Sequence, residues 1–177
     1  DRKHIYYGWR KVFGFLCESG MFSTPPEYEL YQNTLLKLFT VHAVPYPFTH
    51  SVLERLRARG FKTGLITNGN GEVQASKLRL LKLRDSFDEV LLCGEFGVQK
   101  PNAAPFKEMA RRLGVPESTL LYVGDNPVCD VEGSRAAGYI PVEVLTADCV
   151  LPNAVPADYR ISSVAELDAV LEVIQNA

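Results

Sequence analysis

Thr119-Leu120-Leu121-Tyr122-Val123-Gly124-Asp125-Asn126-Pro127 runs from an apolar segment through a glycine and a carboxylate into a helix start. A strand that is apolar at nearly every position suits a parallel sheet covered on both faces. Working outward, helix and strand alternate. Upstream, Thr49 to Arg59 reads as a helix stopped by Gly60, Lys62 to Ile66 as a strand, and Gly71 to Leu83 as a helix. Glu89 to Cys93 follows as a strand and Asn102 to Leu113 as a helix stopped by Gly114. Downstream, Asn126 to Ala137 is helical, Ile140 to Leu145 a strand and Tyr159 to Ser162 a short edge strand. Ser163 and Glu166 form a capping box for a last helix through Gln175. Repeated β-then-α units predict a Rossmann-like α/β core, a parallel sheet with right-handed crossovers flanked by helices.

Residues 1–46 have another texture. Two aromatic, helix-compatible runs, His4 to Glu18 and Glu27 to Phe39, are separated by Ser23-Thr24-Pro25-Pro26, with Thr24 a candidate N-cap. No strand pattern occurs there, so the expected organisation is a small helical lobe over 1–46 and the α/β core over 47–177. Pro45-Tyr46-Pro47 marks the change.

The 177 residues suffice for one domain with a small appendage. A net charge of −2 without a long basic run argues against a nucleic-acid partner. No apolar stretch approaches the ~20 residues that cross a bilayer, and no signal-type segment opens the chain. Cys17, Cys93, Cys129 and Cys149 show no paired spacing, and His4, His42 and His50 share no ligand spacing. Free thiols in a reducing, cytoplasmic setting are expected, and zinc is not. Oligomeric state is not legible.

Three short segments carry the chemistry: Thr67-Asn68-Gly69, Lys100-Pro101, and Gly124-Asp125 with Asp130. Each follows a strand closely, and the carboxyl ends of strands in such a sheet share one rim. A hydroxyl with free backbone N–H groups, a lysine and two carboxylates suit a phosphate and a divalent cation. Each segment also has a plainer reading. Thr, Asn and Gly are common in turns, a lone lysine is usually solvated, and Asp125 could cap the next helix with Asp130 favouring its dipole. Their order and spacing favour the site.

Residues 46–145 resemble the haloacid dehalogenase-like hydrolases, in particular the phosphatase branch with a small helical cap. Thr67-Asn68-Gly69 is similar to the family's second motif, Lys100-Pro101 to its third, and Gly124-Asp125 through Asp130 to its fourth. The resemblance implies that Thr67 binds the transferring phosphoryl group with the backbone of Asn68 and Gly69 assisting. It implies that Lys100 offsets charge on nucleophile and phosphoryl oxygens, that Asp125 coordinates Mg²⁺, and that Asp130 supports the metal or its waters. The lobe at 1–46 then corresponds to a cap, expected to be incomplete.

The family's first motif is Asp-x-Asp on the central strand, and no Asp-x-Asp occurs in these residues. The resemblance implies that this strand lies between those at 62–66 and 119–123. The expectation is therefore that it precedes Asp1, and that the 177 residues alone are inactive. The function expected of the complete protein is Mg²⁺-dependent hydrolysis of a small phosphorylated metabolite, a nucleotide or sugar phosphate, through a phospho-aspartate. The alternatives are a metal-free 2-haloacid dehalogenase and a non-catalytic binding protein on the same scaffold. Tyr6, Tyr7, Trp9, Phe13, Phe15, Phe22, Tyr28 and Tyr31 could line a substrate pocket or pack the lobe.

Overall fold

The computed structural model describes residues 9–146 and 155–176. The chain divides into two compact units, Asp1–Val44 and Pro45–Ala177. In the first, α1 (Trp9–Glu18) and α2 (Tyr28–His42) contact each other. The Phe13 ring lies 6.2 Å from that of Phe22, 5.4 Å from Tyr28 and 4.9 Å from Tyr31, so these four aromatics pack one another. Phe15 is exposed. Tyr6, Tyr7 and the side chain of Trp9 fall outside the described residues. Helix α2 begins two residues after Pro26, so Thr24 does not cap it.

The second unit holds α3 (Thr49–Ala58), β1 (Gly64–Thr67), α4 (Gly71–Leu80), β2 (Glu89–Leu92), α5 (Cys93–Phe96) and α6 (Ala104–Leu113). It continues with β3 (Leu121–Gly124), a π-type turn over Pro127–Glu132, α7 (Gly133–Ala136), β4 (Ile140–Val144), β5 (Tyr159–Ile161) and α8 (Leu167–Gln175). Every strand pairing is parallel. The order is β1-β2 in one sheet and β3-β4-β5 in another. β1 and β3 are thus not paired with each other, the arrangement implied for strands that flank a third.

Alternation along β3 explains the layering. Leu120 and Tyr122 pack against a cluster containing Ile66, Leu91, Phe106, Met109, Ala110, Leu113 and Tyr139. Leu121 and Val123 pack against Val142, Ile161, Leu167, Val170 and Leu171. Successive side chains of a strand point to opposite faces, so α6 covers one face of the sheet and α8 the other. Phe106, Met109, Ala110 and Leu113 recur at helical spacing, which gives α6 its buried stripe. Gly114, at a φ of 66°, ends that helix in the left-handed conformation glycine tolerates best. On the other face, Arg55 and Arg59 both meet Asp168, at 2.9 and 2.8 Å, which joins α3 to α8.

Most element boundaries match the sequence pattern within a few residues. Cys93 is the exception, since it starts a short helix rather than ending a strand. Its thiol is fully buried, and burial pushes its pKa up. Cys17, Cys93 and Cys129 are free thiols, and Cys149 lies outside the described residues. Among the described residues no helix is long and apolar enough to cross a membrane.

A small clasp precedes β1. Asp88 Oδ2 accepts from the Thr63 backbone N–H at 2.6 Å and the Thr63 hydroxyl at 3.1 Å. The Thr63 backbone bond chiefly, then its hydroxyl and the charge of Arg57, hold the Asp88 carboxyl below its ordinary value against a smaller opposing effect of burial. A carboxyl depressed on folding stabilises the native state above its unfolded pKa and loses that contribution as pH falls through the folded value. Asp88 is exposed, so solvent screens this contribution and Asp88→Asn should cost no more than about 0.5 kcal/mol at neutral pH. It should also flatten the acid limb of the stability profile below the ordinary aspartate value of 3.8, read by urea unfolding across pH. An acid limb identical to wild type would show that the clasp contributes nothing.

Candidate active site

The loops after β1, β2 and β3 converge. Asn68 carries the closest link: its Nδ2 donates to the Lys100 carbonyl and its Oδ1 accepts from the Lys100 backbone N–H, each at 2.9 Å. This reciprocal pair ties the first loop to the second, as two amides pair with each other. Gln74 Nε2 donates to the Asn68 carbonyl at 2.9 Å, fixing the loop from its own helix. Gly69 has a φ of 107°, and the carbonyl of Gly69 lies against Gly94, where no Cβ would fit. Thr67 ends β1 half-buried, its hydroxyl donating to the Asn68 carbonyl at 3.3 Å.

The Lys100–Pro101 peptide bond is cis. From this loop the Lys100 ammonium reaches the third segment, donating to Asp130 Oδ1 at 2.6 Å and to the Tyr122 hydroxyl at 2.7 Å. The ion pair is almost withdrawn from water, with side-chain exposures of 10 % for Lys100 and 8 % for Asp130. The second oxygen of Asp130 accepts from the Asn126 backbone N–H at 3.1 Å. Both oxygens of Asp130 are thus engaged by protein donors. Its carboxyl also lies on Gly124, where an added Cβ would come 2.5 Å from Asp130 Cγ.

Asp125 is the opposite case. It is exposed, and among the described residues its carboxylate has no hydrogen-bond or ion-pair partner. The buried charge therefore belongs to Asp130, and Asp125 bears no desolvation cost. Nor does Asp125 cap the following turn. Asn126 does, its Oδ1 accepting from the backbone N–H groups of Val128 and Cys129 at 3.1 and 2.7 Å. Released from capping, Asp125 points no hydrogen bond inward.

Sequence reasoning missed three participants: the Asn68 side chain, Asn126 as cap, and Tyr122. Tyr122 was legible only as one more apolar strand residue, although its alternation places it on the face of Phe106. Its ring meets Phe106 at 4.9 Å, and its hydroxyl donates to the Ile66 carbonyl at 3.3 Å. Burial first, then the charge of Asp130, pushes its phenol well above the ordinary range, so it stays protonated.

Residues 10–144 match the family model described as haloacid dehalogenase-like hydrolase. The chain belongs to that family. Among curated haloacid dehalogenase-like relatives, glyceraldehyde 3-phosphate phosphatase of Methanopyrus kandleri is 42% identical over 100 residues, 56% of this chain and 43% of that protein. Pyrimidine 5'-nucleotidase YjjG of Escherichia coli is 31% identical over 144 residues, 81% of this chain and 62% of its own length. Among solved structures, an HAD phosphatase from Thermococcus onnurineus superimposes with a TM-score of 0.70 at 33% identity, over 78% of this chain and 63% of that one. This chain spans about half the length of the curated relatives it matches.

The chemistry of the donor set bears on a metal. Among the described residues, no group of three His, Cys, Asp or Glu could hold an ion by itself. Mg²⁺ typically takes one or two carboxylates and completes its shell with water and substrate phosphate oxygens. An exposed carboxylate with no partner among the described residues, Asp125, in the same loop segment as the Asp130 that fixes the Lys100 ammonium, fits that demand.

If the Asn68 pair sets the position of Lys100, Asn68→Ala should leave the Lys100 N–H and C=O without their partner. The expected stability loss is about 1–3 kcal/mol. Asn68→Asp, which keeps the acceptor but not the donor, should lose part of this. Urea unfolding of both variants checks it, and equal stability of Asn68→Ala and wild type would dissolve the proposed link between the loops.

Proposed function

We propose that the complete protein is a Mg²⁺-dependent phosphatase of a small phosphorylated metabolite. One observation supports this reading above the others: in the loops that follow parallel strands, a lysine is locked in a buried ion pair with Asp130, while Asp125, five residues before that carboxylate, is exposed and has no partner among the described residues. That division is what phosphoryl transfer asks of a protein, a preorganised cation together with an open ligand for a metal.

The residues divide the work as follows. The Thr67 hydroxyl and the N–H groups of the Thr67-Asn68-Gly69 turn hold phosphoryl oxygens. Lys100, fixed by Asp130, neutralises charge that grows on those oxygens as the ester bond breaks. Asp125 is the residue of this chain that would hold Mg²⁺, with Asp130 acting on Lys100. Mg²⁺ in such a site supplies charge neutralisation and orientation for the phosphoryl group. The attacking carboxylate comes from an aspartate outside the 177 residues. Its oxygen bonds to phosphorus as the ester P–O bond breaks, the leaving alkoxide taking its proton from the second aspartate of the same Asp-x-Asp motif. That aspartate then takes a proton from water, which attacks phosphorus and releases phosphate and the free carboxylate. The likeness to glyceraldehyde 3-phosphate phosphatase and to pyrimidine 5'-nucleotidase supports sugar phosphates and nucleotides as the first substrates to try.

A panel of phosphate esters assayed on the full-length protein, with Mg²⁺ and with EDTA, tests the reading. Phosphate release that EDTA abolishes is the expected result. Halide release from a 2-haloacid that ignores EDTA would instead establish the dehalogenase reading. Tight binding without turnover of any ester would establish the non-catalytic one.

A further inference from the structure

Tyr122 occupies a position that the phosphatase reading leaves without a task. An ammonium has three protons, and among the described residues two of those on Lys100 have acceptors, Asp130 Oδ1 at 2.6 Å and the Tyr122 hydroxyl at 2.7 Å. A lysine side chain is a point charge on a flexible stem, so one carboxylate fixes its distance without fixing its direction. A second acceptor, at an angle to the first, fixes the axis as well. Tyr122 is suited to that part because it is itself immobilised. Its hydroxyl proton goes to the Ile66 carbonyl at 3.3 Å, and its ring is held by Phe106 at 4.9 Å and Tyr139 at 6.4 Å. Tyr139 is anchored in turn, donating its hydroxyl to the Phe106 carbonyl at 2.6 Å. The Lys100 ammonium lies 5.2 Å from the Tyr122 ring centroid, on its hydroxyl end.

We propose that Tyr122 is a positioning residue for Lys100, its hydroxyl braced on the Ile66 carbonyl so that the remaining ammonium proton is directed at the substrate's phosphoryl group. The direction matters more as the transition state forms than when substrate binds, because the phosphoryl oxygens take on charge during bond breaking. This rests on the phosphatase role given to Lys100. The Ile66 carbonyl belongs to β1 and Tyr122 to β3, so the same hydroxyl also carries the position of one sheet to the other.

Tyr122→Phe in the full-length protein keeps the ring and removes only the hydroxyl. With p-nitrophenyl phosphate or the preferred ester, kcat should fall about tenfold or more while KM changes less than about twofold, as expected for an interaction realised in the transition state. A tyrosine that merely fills the core would leave both constants unchanged in a folded Phe variant, and that result overturns the proposal. So does a raised KM with unchanged kcat. A second measurement does not depend on turnover: the ¹⁵N-lysine NH₃⁺ resonance of Lys100, assigned by its absence in Lys100→Arg. Loss or broadening of that resonance in Tyr122→Phe is expected, because the ammonium is then free to rotate and exchange. An unchanged, narrow resonance overturns the positioning role. If wild type hydrolyses no ester at all, the phosphatase reading fails by itself, and the resonance still decides whether Tyr122 holds the ammonium.

Discussion

Lys100→Ala should lower stability by about 3–5 kcal/mol, because it strands the Asp130 carboxylate in a site it cannot leave. Asp130 has a side-chain exposure of 8 %, and its other oxygen is committed to the Asn126 N–H. Removing one member of a buried pair costs far more than removing both, since the remaining charge is then unpaired. The double variant Lys100→Ala, Asp130→Asn should therefore recover a large part of the loss, Asn still offering an oxygen to Asn126. Urea unfolding of the two single variants and the double gives the coupling directly. A loss under about 1 kcal/mol for Lys100→Ala would mean that the pair behaves like an exposed one. In the full-length protein, assayed well below the unfolding midpoint, Lys100→Ala should also cut kcat by about two to three orders of magnitude. KM should rise less than kcat falls.

Asp125→Asn should do the reverse. Asp125 is exposed and unpartnered among the described residues, so stability should stay within about 0.5 kcal/mol of wild type. Turnover of the full-length protein should collapse by about two orders of magnitude or more, because a neutral amide is a poor ligand for a hard divalent cation. Stabilisation by added Mg²⁺, which follows ligand concentration over its dissociation constant, should vanish with it. Wild-type activity at saturating substrate and ordinary Mg²⁺ would remove Asp125 from the metal. The two variants together separate what the sequence presents as one acidic motif. On the proposed reading, one carboxylate serves the fold and the lysine, and the other serves the metal.

The fold was legible because its signals are local and repeated. Short apolar strands, and helices stopped by Gly60 and Gly114, recur in order, and parallel topology follows from that alternation. The haloacid dehalogenase-like family was legible from three motifs whose order and spacing coincidence would not supply. The division of labour inside the site was not. Whether Asp125 or Asp130 is buried depends on how the turn after β3 curls, and six residues of π-type helix there bring Asp130 back over Gly124. Nothing in residue spacing announces that curl. Likewise the pairing of Asn68 with the Lys100 backbone joins residues far apart in the chain, and such a bond leaves no periodic trace. Tyr122 shows the limit most plainly, since on an apolar strand its hydroxyl reads as incidental until the ammonium beside it is seen.

Gly133 at the start of α7 has one further consequence. A Cβ there would come within 3.0 Å of the Pro101 backbone, so the segment behind Asp130 lies flush against the one carrying Lys100. Asn68 grips the same segment through its backbone, and its Nδ2 also reaches Cys129 Sγ at 4.0 Å, so the three turns are tied pairwise into a triangle. An insertion or a bulkier residue in one turn must be answered in the other two. Descendants of this sequence are thus expected to change outside the triangle, keeping these turns at fixed length while the rest of the chain diversifies.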